Sequence, residues 1–401
     1  MTRGDSRAAP DPHFAWRTRA IATRGSTAWA VSDRAAAMVA AGADVIQLTV
    51  GDVDLPTPAH VVAAAHRSLD SGRTHYTPIA GEPALREAIA QRAERRYRAR
   101  VTADQVVVFP GAQCALFSVM QCLAGPGDEV VVLEPVYATY AAVVGATGAT
   151  PVPVSTRAGA RFELDVGRIE RAFGPHTRAV LLNTPNNPSG AVLEADAVNQ
   201  LAQLCTRRDA WLVSDEVYGE LTFEKPHLSP AAFMGSAARV AVVDSLSKSH
   251  AMTGWRLGWA IGPPELARHL GALAQAELFG SPPFVQDAAV AALTGSQDIC
   301  RSLRALYRAR RDALLAGLES CPTLRPFRPD GGMFVLVDIS RTGLGADEFA
   351  ARLLDEAGVA VVPGQAFGDS VADCIRLGLT QPVERLNEAC ARIAQWLPRT
   401  R

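Results

Sequence analysis

Short apolar runs alternate with amphipathic segments through the middle of the chain. The runs predict strands at 105–109, 129–133, 177–183, 210–215 and 240–246, with a further candidate at 255–261. The segments between them predict helices at 113–123, from about residue 140, and at 195–207. Runs of Val, Leu and Ile without alternation are typical of strands covered on both faces. The pattern therefore predicts a three-layer α/β/α fold with a mostly parallel central sheet.

The pattern changes from about residue 291. It predicts a long helix at 298–318, strands at 332–339 and 375–379, and helices at 346–357 and 383–397, which together make a smaller α+β domain. Because no Gly/Ser-rich or charged linker divides the chain, we expect two closely packed lobes. The predicted boundaries are a flexible N-terminal arm (1–22), an N-terminal part of the small domain (23–60), a large domain (61–295) and a C-terminal small domain (296–401).

Composition narrows the class of protein. Of 401 residues, 48% are hydrophobic, which is enough for a large core, and the net charge of −1 gives no sign of a nucleic-acid or membrane partner. No apolar run approaches the roughly 18 residues of a membrane span, and the N-terminus has no apolar signal region. The seven cysteines form no C-x-x-C pair, which favours reduced thiols in a cytoplasmic protein, and no residue spacing suggests a metal site.

The first candidate for chemistry is Lys248, which closes the segment Ser245-Leu246-Ser247-Lys248 just past a predicted strand. A lysine inside a covered core loses solvation, which lowers its pKa and makes it a nucleophile toward an aldehyde. Ser245 and Arg256 offer a hydroxyl and a guanidinium, the groups that suit a phosphate. The alternative is a surface lysine beside a structural arginine.

Asp215 ends another apolar run and is followed by Tyr218. In open α/β sheets ligands bind beyond the carboxyl ends of the strands. A carboxylate there can keep a pyridine nitrogen protonated, which makes the ring an electron sink, and Tyr218 can bind the phenolate oxygen of that ring. The alternative for Asp215 is a helix N-cap.

Two loops follow strands in the same way. In the segment NTPNNPSG (183–190), Asn187 can donate to the same phenolate oxygen and the Asn187-Pro188 bond is a candidate for cis, although a purely structural turn is the alternative. The segment Pro110-Gly111-Ala112-Gln113 precedes a predicted helix, whose N-terminal N–H groups can bind an anion. It is not a Walker loop, because no Gly-Lys-Ser/Thr follows.

Taken together, these motifs resemble the fold-type I aminotransferases, the broad aspartate aminotransferase family. The resemblance runs from about residue 49 to 396 and is most specific in NTPNNPSG, SDEVYGEL and SLSKSHAMTGWRLGW. It implies the three-layer transferase fold, pyridoxal 5′-phosphate (PLP) as cofactor, and transfer of an α-amino group from an L-amino acid to a 2-oxo acid by a ping-pong mechanism. It also implies a homodimer with shared active sites.

The resemblance assigns roles to individual positions. Lys248 is the implied Schiff-base lysine and proton carrier, Asp215 pairs with the pyridinium, and Tyr218 completes the catalytic set. Asn187 joins Tyr218 at the phenolate oxygen, and Tyr137 stacks on the ring. The implied phosphate ligands are Ala112, Gln113, Ser245, Ser247 and Arg256, with Tyr76 reaching the phosphate of the other subunit. The implied substrate contacts are Gly51, Tyr137, Asn187 and Arg376, of which Arg376 clamps the α-carboxylate.

One departure bears on the substrate. Dicarboxylate-specific members carry a second arginine shortly before a Ser-Asn-Pro-Pro segment, whereas residues 274–283 here contain none and include Glu277. An acidic residue at this place favours a cationic or neutral substrate side chain. The stretches GAQCALFSVMQCL, GDEVVVLEPVYATY and RPDGGMFVLVDI further resemble the bacterial arginine–pyruvate transaminases, which implies L-arginine as donor and pyruvate as acceptor.

Three alternatives share the motifs. One is an aminotransferase for aspartate or another amino acid with 2-oxoglutarate. Another is a PLP-dependent β-lyase or amino-acid-modifying enzyme, because its cofactor-binding residues would be the same. A PLP-binding regulator is disfavoured, because the roughly 45 residues before the first core strand show no helix-turn-helix pattern.

Overall fold

The computed structural model describes residues 14–22, 27–98, 100–156, 162–233 and 239–397. The strands are β1 (Ile46–Gln47), β2 (Val106–Phe109), β3 (Glu129–Glu134), β4 (Thr150–Ser155), β5 (Thr177–Asn183), β6 (Trp211–Asp215), β7 (Val240–Ser245), β8 (Gly258–Ile261), β9 (Arg325–Pro326), β10 (Phe334–Asp338), β11 (Val359–Ala360), β12 (Val362–Pro363) and β13 (Cys374–Gly378). The α-helices are α1 (Trp16–Ala22), α2 (Thr27–Ala40), α3 (Ala59–Asp70), α4 (Pro83–Tyr97), α5 (Ala112–Leu123), α6 (Tyr140–Thr147), α7 (Val166–Ala172), α8 (Ala195–Arg207), α9 (Pro264–Glu277), α10 (Pro283–Thr294), α11 (Asp298–Leu318), α12 (Ala346–Ala357) and α13 (Val383–Trp396).

The central sheet has seven strands in the order β2-β8-β7-β6-β5-β3-β4. All neighbours are parallel except the two pairs that include β8, so the predicted mostly parallel sheet is confirmed. The strand predicted at 255–261 begins only at Gly258, because a 3-10 turn and the left-handed Arg256 (φ 51°) precede it. Strand β4 was not predicted from the sequence because it carries two prolines, which are tolerated here since β4 lies at the edge of the sheet.

Both faces of this sheet are covered. Along β2, Val106 and Val108 pack into one buried cluster while Val107 and Phe109 pack into another on the opposite face. Alternation of side chains between the faces of a strand explains how an unbroken apolar run fills two cores. Each fully buried side chain of this kind contributes roughly 1.5–3 kcal/mol.

The smaller lobe has its own antiparallel sheet, β12-β13-β10-β9, and a core that includes Leu314, Leu353 and Leu377. The N-terminal segment contributes to this lobe, because β1 pairs in parallel with β11. Helix α1, which lies within the segment 1–22, packs against α6, and residues 1–13 lie outside the described residues. Every cysteine is a free thiol. None of the helices in the described ranges is long and apolar enough to cross a membrane.

Candidate active site

A cavity of about 270 Å³ opens beyond the carboxyl ends of β5, β6 and β7. Parallel neighbours end at the same edge of a sheet, so residues far apart in sequence meet there. Twelve of the thirteen residues singled out from the sequence line it: Gly51, Ala112, Gln113, Tyr137, Asn187, Asp215, Tyr218, Ser245, Ser247, Lys248, Arg256 and Arg376.

Lys248 projects into this cavity. Burial is the main cause that lowers the pKa of its amino group to about 8, and the guanidinium groups of Arg256 and Arg376 lower it further, against an opposing effect of Asp52. Its Nζ donates a 2.6 Å hydrogen bond to the carbonyl oxygen of Gly51. The alternative of a surface lysine is therefore wrong, and the amine is poised for deprotonation near neutral pH.

Asp215 lies at the buried end of the cavity. Its Oδ2 accepts a 2.8 Å hydrogen bond from the Tyr140 hydroxyl, and its Oδ1 accepts one of 3.3 Å from the backbone N–H of Val217. Burial raises the pKa of Asp215 to about 6, although the Tyr140 hydrogen bond opposes the rise. A turn follows at residues 217–220, so Asp215 does not cap a helix. Such a carboxylate suits a cationic ring nitrogen.

The loop after β5 positions Asn187. The side chain of Asn183 donates to the backbone oxygen of Asp215 (3.0 Å) and accepts from the backbone N–H of Asn187 (2.7 Å). The Asn187-Pro188 bond is cis, as the sequence suggested. Since Asn187 Oδ1 accepts from Arg376, its Nδ2 remains available as a donor in the cavity.

Arg376 comes from β13 of the smaller lobe. Its Nη1 donates to Asn187 Oδ1 over 2.9 Å and its Nη2 donates to the carbonyl oxygen of Thr49. The guanidinium lies over the rings of Phe334 and Phe367, at 4.0 and 4.8 Å. Burial lowers its pKa to about 10, and no carboxylate among the described residues pairs with it. A buried guanidinium of this kind suits a substrate carboxylate.

The N-terminus of α5 suits a second anion, in addition to the substrate carboxylate at Arg376. The Arg256 guanidinium lies so close to Gly111 (φ 89°) that a Cβ there would come within 2.5 Å of Nη2. Ser245 and Ser247 add hydroxyls beside the N–H groups that begin at Ala112. One cavity therefore holds Arg256 for a phosphate, Asp215 for a pyridine nitrogen and Lys248 for an aldehyde, so the residues present fit PLP.

Two residues singled out from the sequence lie outside this cavity, and one that was not singled out lies in it. Tyr76, the thirteenth predicted residue, lies outside this cavity, is 85% exposed and meets Phe279 edge-on at 5.0 Å between ring centroids. Glu277 also lies outside it and accepts a 2.8 Å hydrogen bond from Ser118. Trp29 of α2 does line the cavity, and sequence reasoning missed it because nothing in its neighbourhood marks a site.

Known proteins resemble this chain over most of its length. Residues 43–393 match the family model described as aminotransferase class I and II. The chain is 52% identical over 377 residues to the arginine–pyruvate transaminase of Pseudomonas aeruginosa, covering 94% of this chain and 96% of that one. It is 38% identical to the aspartate/prephenate aminotransferase of Thermus thermophilus, covering 95% and 98%.

Solved structures show the same fold. The aspartate aminotransferase from Thermus thermophilus with maleate superposes with a TM-score of 0.91 at 37% identity, covering 96% of this chain and all of that one. An alanine aminotransferase from Pyrococcus furiosus gives a TM-score of 0.91 at 28% identity over the same shares. The chain therefore belongs to the class I and II aminotransferases, enzymes that use pyridoxal phosphate as their cofactor.

Proposed function

We propose that this enzyme transfers the α-amino group of L-arginine to pyruvate by a ping-pong mechanism in which Lys248 is the central catalytic residue. The observation that carries the proposal is that Lys248, Asp215 and Arg376 line one cavity. They provide a nucleophilic amine, a carboxylate for a ring nitrogen and a cation for an α-carboxylate. Aminotransferases need these three groups within reach of one substrate.

The cavity residues divide into four sets that would hold PLP. Asp215 would pair with the protonated pyridine nitrogen, Tyr218 and Asn187 would donate to the phenolate oxygen, and Tyr137 would stack on the ring. The phosphate would be held by Ala112, Gln113, Ser245, Ser247 and Arg256. When bound, PLP supplies an aldehyde that takes up the amino group and a ring that withdraws electrons from the substrate Cα.

The protein groups then handle binding and proton transfer. Arg376 binds the α-carboxylate and thereby orients the Cα–H bond, and the backbone at Gly51 closes over the substrate. Lys248, whose pKa is lowered to about 8, would take the proton from the donor Cα and hold it for transfer to the bound cofactor. The second half-reaction runs through the same groups in reverse with pyruvate.

L-Arginine is proposed as the donor from a named relative and from the residues that line the cavity around the substrate side chain. The 52% identical relative from Pseudomonas aeruginosa is named an arginine–pyruvate transaminase. Among the described lining residues the cations are Lys248, Arg256 and Arg376, each already given a role, so none remains for a distal carboxylate. Trp29 offers an aromatic face on which a substrate guanidinium can stack.

We also propose that the active enzyme is a homodimer. Tyr76 is 85% exposed and, with the half-exposed Phe279, borders a separate cleft of about 500 Å³. Large exposed aromatics of this kind are typical of interfaces. In the dimer, Tyr76 would reach the phosphate in the partner's cavity. Glu277 lies outside its own chain's cavity, so it could meet the substrate side chain only across the interface.

Aspartate with 2-oxoglutarate is the second candidate pair. It is favoured by the relative from Thermus thermophilus and by the similar structure of the aspartate aminotransferase from that organism with maleate. A donor screen with pyruvate and 2-oxoglutarate separates the two. We expect L-arginine with pyruvate to give the highest kcat/KM. Preference for L-aspartate with 2-oxoglutarate would overturn the donor assignment, and pyruvate and ammonia formed without an acceptor would identify a β-lyase.

A further inference from the structure

A second polar cleft, which shares no residue with the active cavity, lies between the C-terminal half of α4 and the first turns of α11. Its volume is about 280 Å³. Five arginines line it together with one carboxylate: Arg92, Arg95, Arg96, Arg301, Arg304 and Glu220. We call this the arginine cleft. So many guanidinium groups around one opening are unusual in a chain whose net charge is −1.

Only part of this positive charge is neutralised. Glu220 pairs with Arg92, Arg96 and Arg304 at 3.3, 3.3 and 3.6 Å. Asp244 pairs with Arg92 and Arg96 at 3.1 and 3.8 Å, and Asp298 pairs with Arg301.

No carboxylate in the described parts of the chain pairs with Arg95. Five guanidinium groups thus face three carboxylates, so the group carries an excess of two positive charges, and Arg95 is its unpaired member.

Arg96 carries unsatisfied donors behind the surface of the cleft. Its side chain is only 14% exposed, yet Nη1 and Nη2 are both buried without a hydrogen-bond acceptor among the described residues. Its ion-pair contacts to Glu220 and Asp244 lack hydrogen-bond geometry, and its other face covers the Tyr97 ring at 4.9 Å. Leaving buried charged donors unsatisfied costs on the order of 1–3 kcal/mol or more, so an oxygen ligand that draws Arg96 outward into the cleft would satisfy them.

We propose that the arginine cleft binds a small dianionic oxyanion, a phosphate monoester or a dicarboxylate, that bridges α4 and α11. Two negative charges match the excess of two positive charges. Guanidinium groups bind the paired oxygens of phosphate and carboxylate in bidentate fashion, which suits Arg95 and Arg96 on one wall and Arg301 and Arg304 on the other.

A bound anion would change the electrostatics of the active cavity. Asp244, which Arg92 and Arg96 hold from the cleft side, accepts a 2.7 Å hydrogen bond on Oδ1 from the backbone N–H of Ser245. Ser245 lines the active cavity. An anion that draws Arg96 away from Asp244 therefore changes the electrostatic environment of the proposed phosphate site. The cleft also spans the two lobes, because α4 belongs to the large lobe and α11 packs in the smaller one.

Calorimetric titration of the holoenzyme with inorganic phosphate and with malonate, at constant ionic strength set by NaCl, tests the proposal. The variant is Arg95→Gln/Arg301→Gln, which removes two exposed guanidinium groups and leaves the buried ion pairs in place. Arg268→Gln, an exposed arginine on α9, is the matched control. We expect one site per subunit, an increase in Kd of about tenfold or more in the double variant, and no change in the control.

The two probes distinguish the sources of the ligand. Binding of phosphate alone assigns a phosphate ester, binding of malonate alone assigns a dicarboxylate, and binding of both assigns the shared dianion chemistry. Absence of binding, or binding that the double variant leaves unchanged, overturns the proposal. The calorimetric readout does not depend on turnover, so it tests the arginine-cleft proposal separately from the donor assignment.

Discussion

The hydroxyl of Tyr140 donates a 2.8 Å hydrogen bond to Oδ2 of Asp215 at the buried end of the active cavity. The tyrosine is fully buried and begins α6, while the aspartate ends β6. The hydrogen bond stabilises the charged form of Asp215 against the burial that raises its pKa to about 6. In the proposed site, Tyr140 would thus act as a positioning residue that favours the ionised carboxylate of Asp215.

Removing that hydroxyl in Tyr140→Phe should raise the pKa of Asp215 further. Hydrogen bonds to charged groups are worth roughly 1.5–3 kcal/mol, so we expect a shift of about one to two pH units in the acidic limb of the kcat/KM profile, toward higher pH. Tyr307→Phe is the control, because that buried hydroxyl has no hydrogen-bond partner among the described residues. An unshifted limb in Tyr140→Phe, or an equal shift in both variants, would contradict the role.

The lowered pKa of Lys248 predicts how the apoprotein takes up its cofactor. Only the neutral amine attacks an aldehyde, and burial lowers the pKa of this amine to about 8. The rate of PLP incorporation, followed by absorbance, should rise with pH and level off just above that value. A rate that keeps rising toward the usual lysine pKa of about 10.4 would show that the amine is not perturbed.

Trp29 should contribute to donor selection. If the donor guanidinium stacks on its ring, Trp29→Ala should lower kcat/KM for L-arginine about tenfold, because a partly exposed cation–π contact is worth roughly 1–1.5 kcal/mol. The value for L-alanine should hardly change, because alanine has no side chain to stack. Trp16→Ala removes a similarly exposed indole outside the cavity and should leave both donors unaffected. Equal losses for both donors would mean that Trp29 has no part in selection.

A shared active site predicts complementation between inactive variants. Coexpressed Lys248→Ala and Tyr76→Ala chains should recover about a quarter of the wild-type activity, because half of the dimers are mixed and each carries one intact site. Lys248→Ala with Asp215→Ala should recover none, since both residues line the same cavity. No recovery in the first pair would place Tyr76 outside the partner's site.

The sequence predicted the parts of the site that lie in local motifs. Asp215 ends a strand of the covered sheet, and Lys248 and Asn187 each follow one. Strand ends can be recognised from apolar runs and turn residues. Tyr140 and Trp29 could not be predicted from the sequence, because tertiary packing alone brings them to the site. Tyr140 is 75 residues from Asp215, and Trp29 comes from a helix near the N-terminus. The arginine cleft could not be predicted for the same reason, because α4 and α11 are distant in sequence.

The most direct test of the account is the donor half-reaction of the holoenzyme with L-arginine and no acceptor. A ping-pong aminotransferase in which Lys248 carries the proton predicts about one equivalent of 2-oxo acid per active site, no ammonia, and return of the original cofactor absorbance when pyruvate is added. Repeated turnover or ammonia release without an acceptor would contradict aminotransferase chemistry. A Lys248→Ala enzyme that completes the half-reaction at the wild-type rate would contradict the role of Lys248.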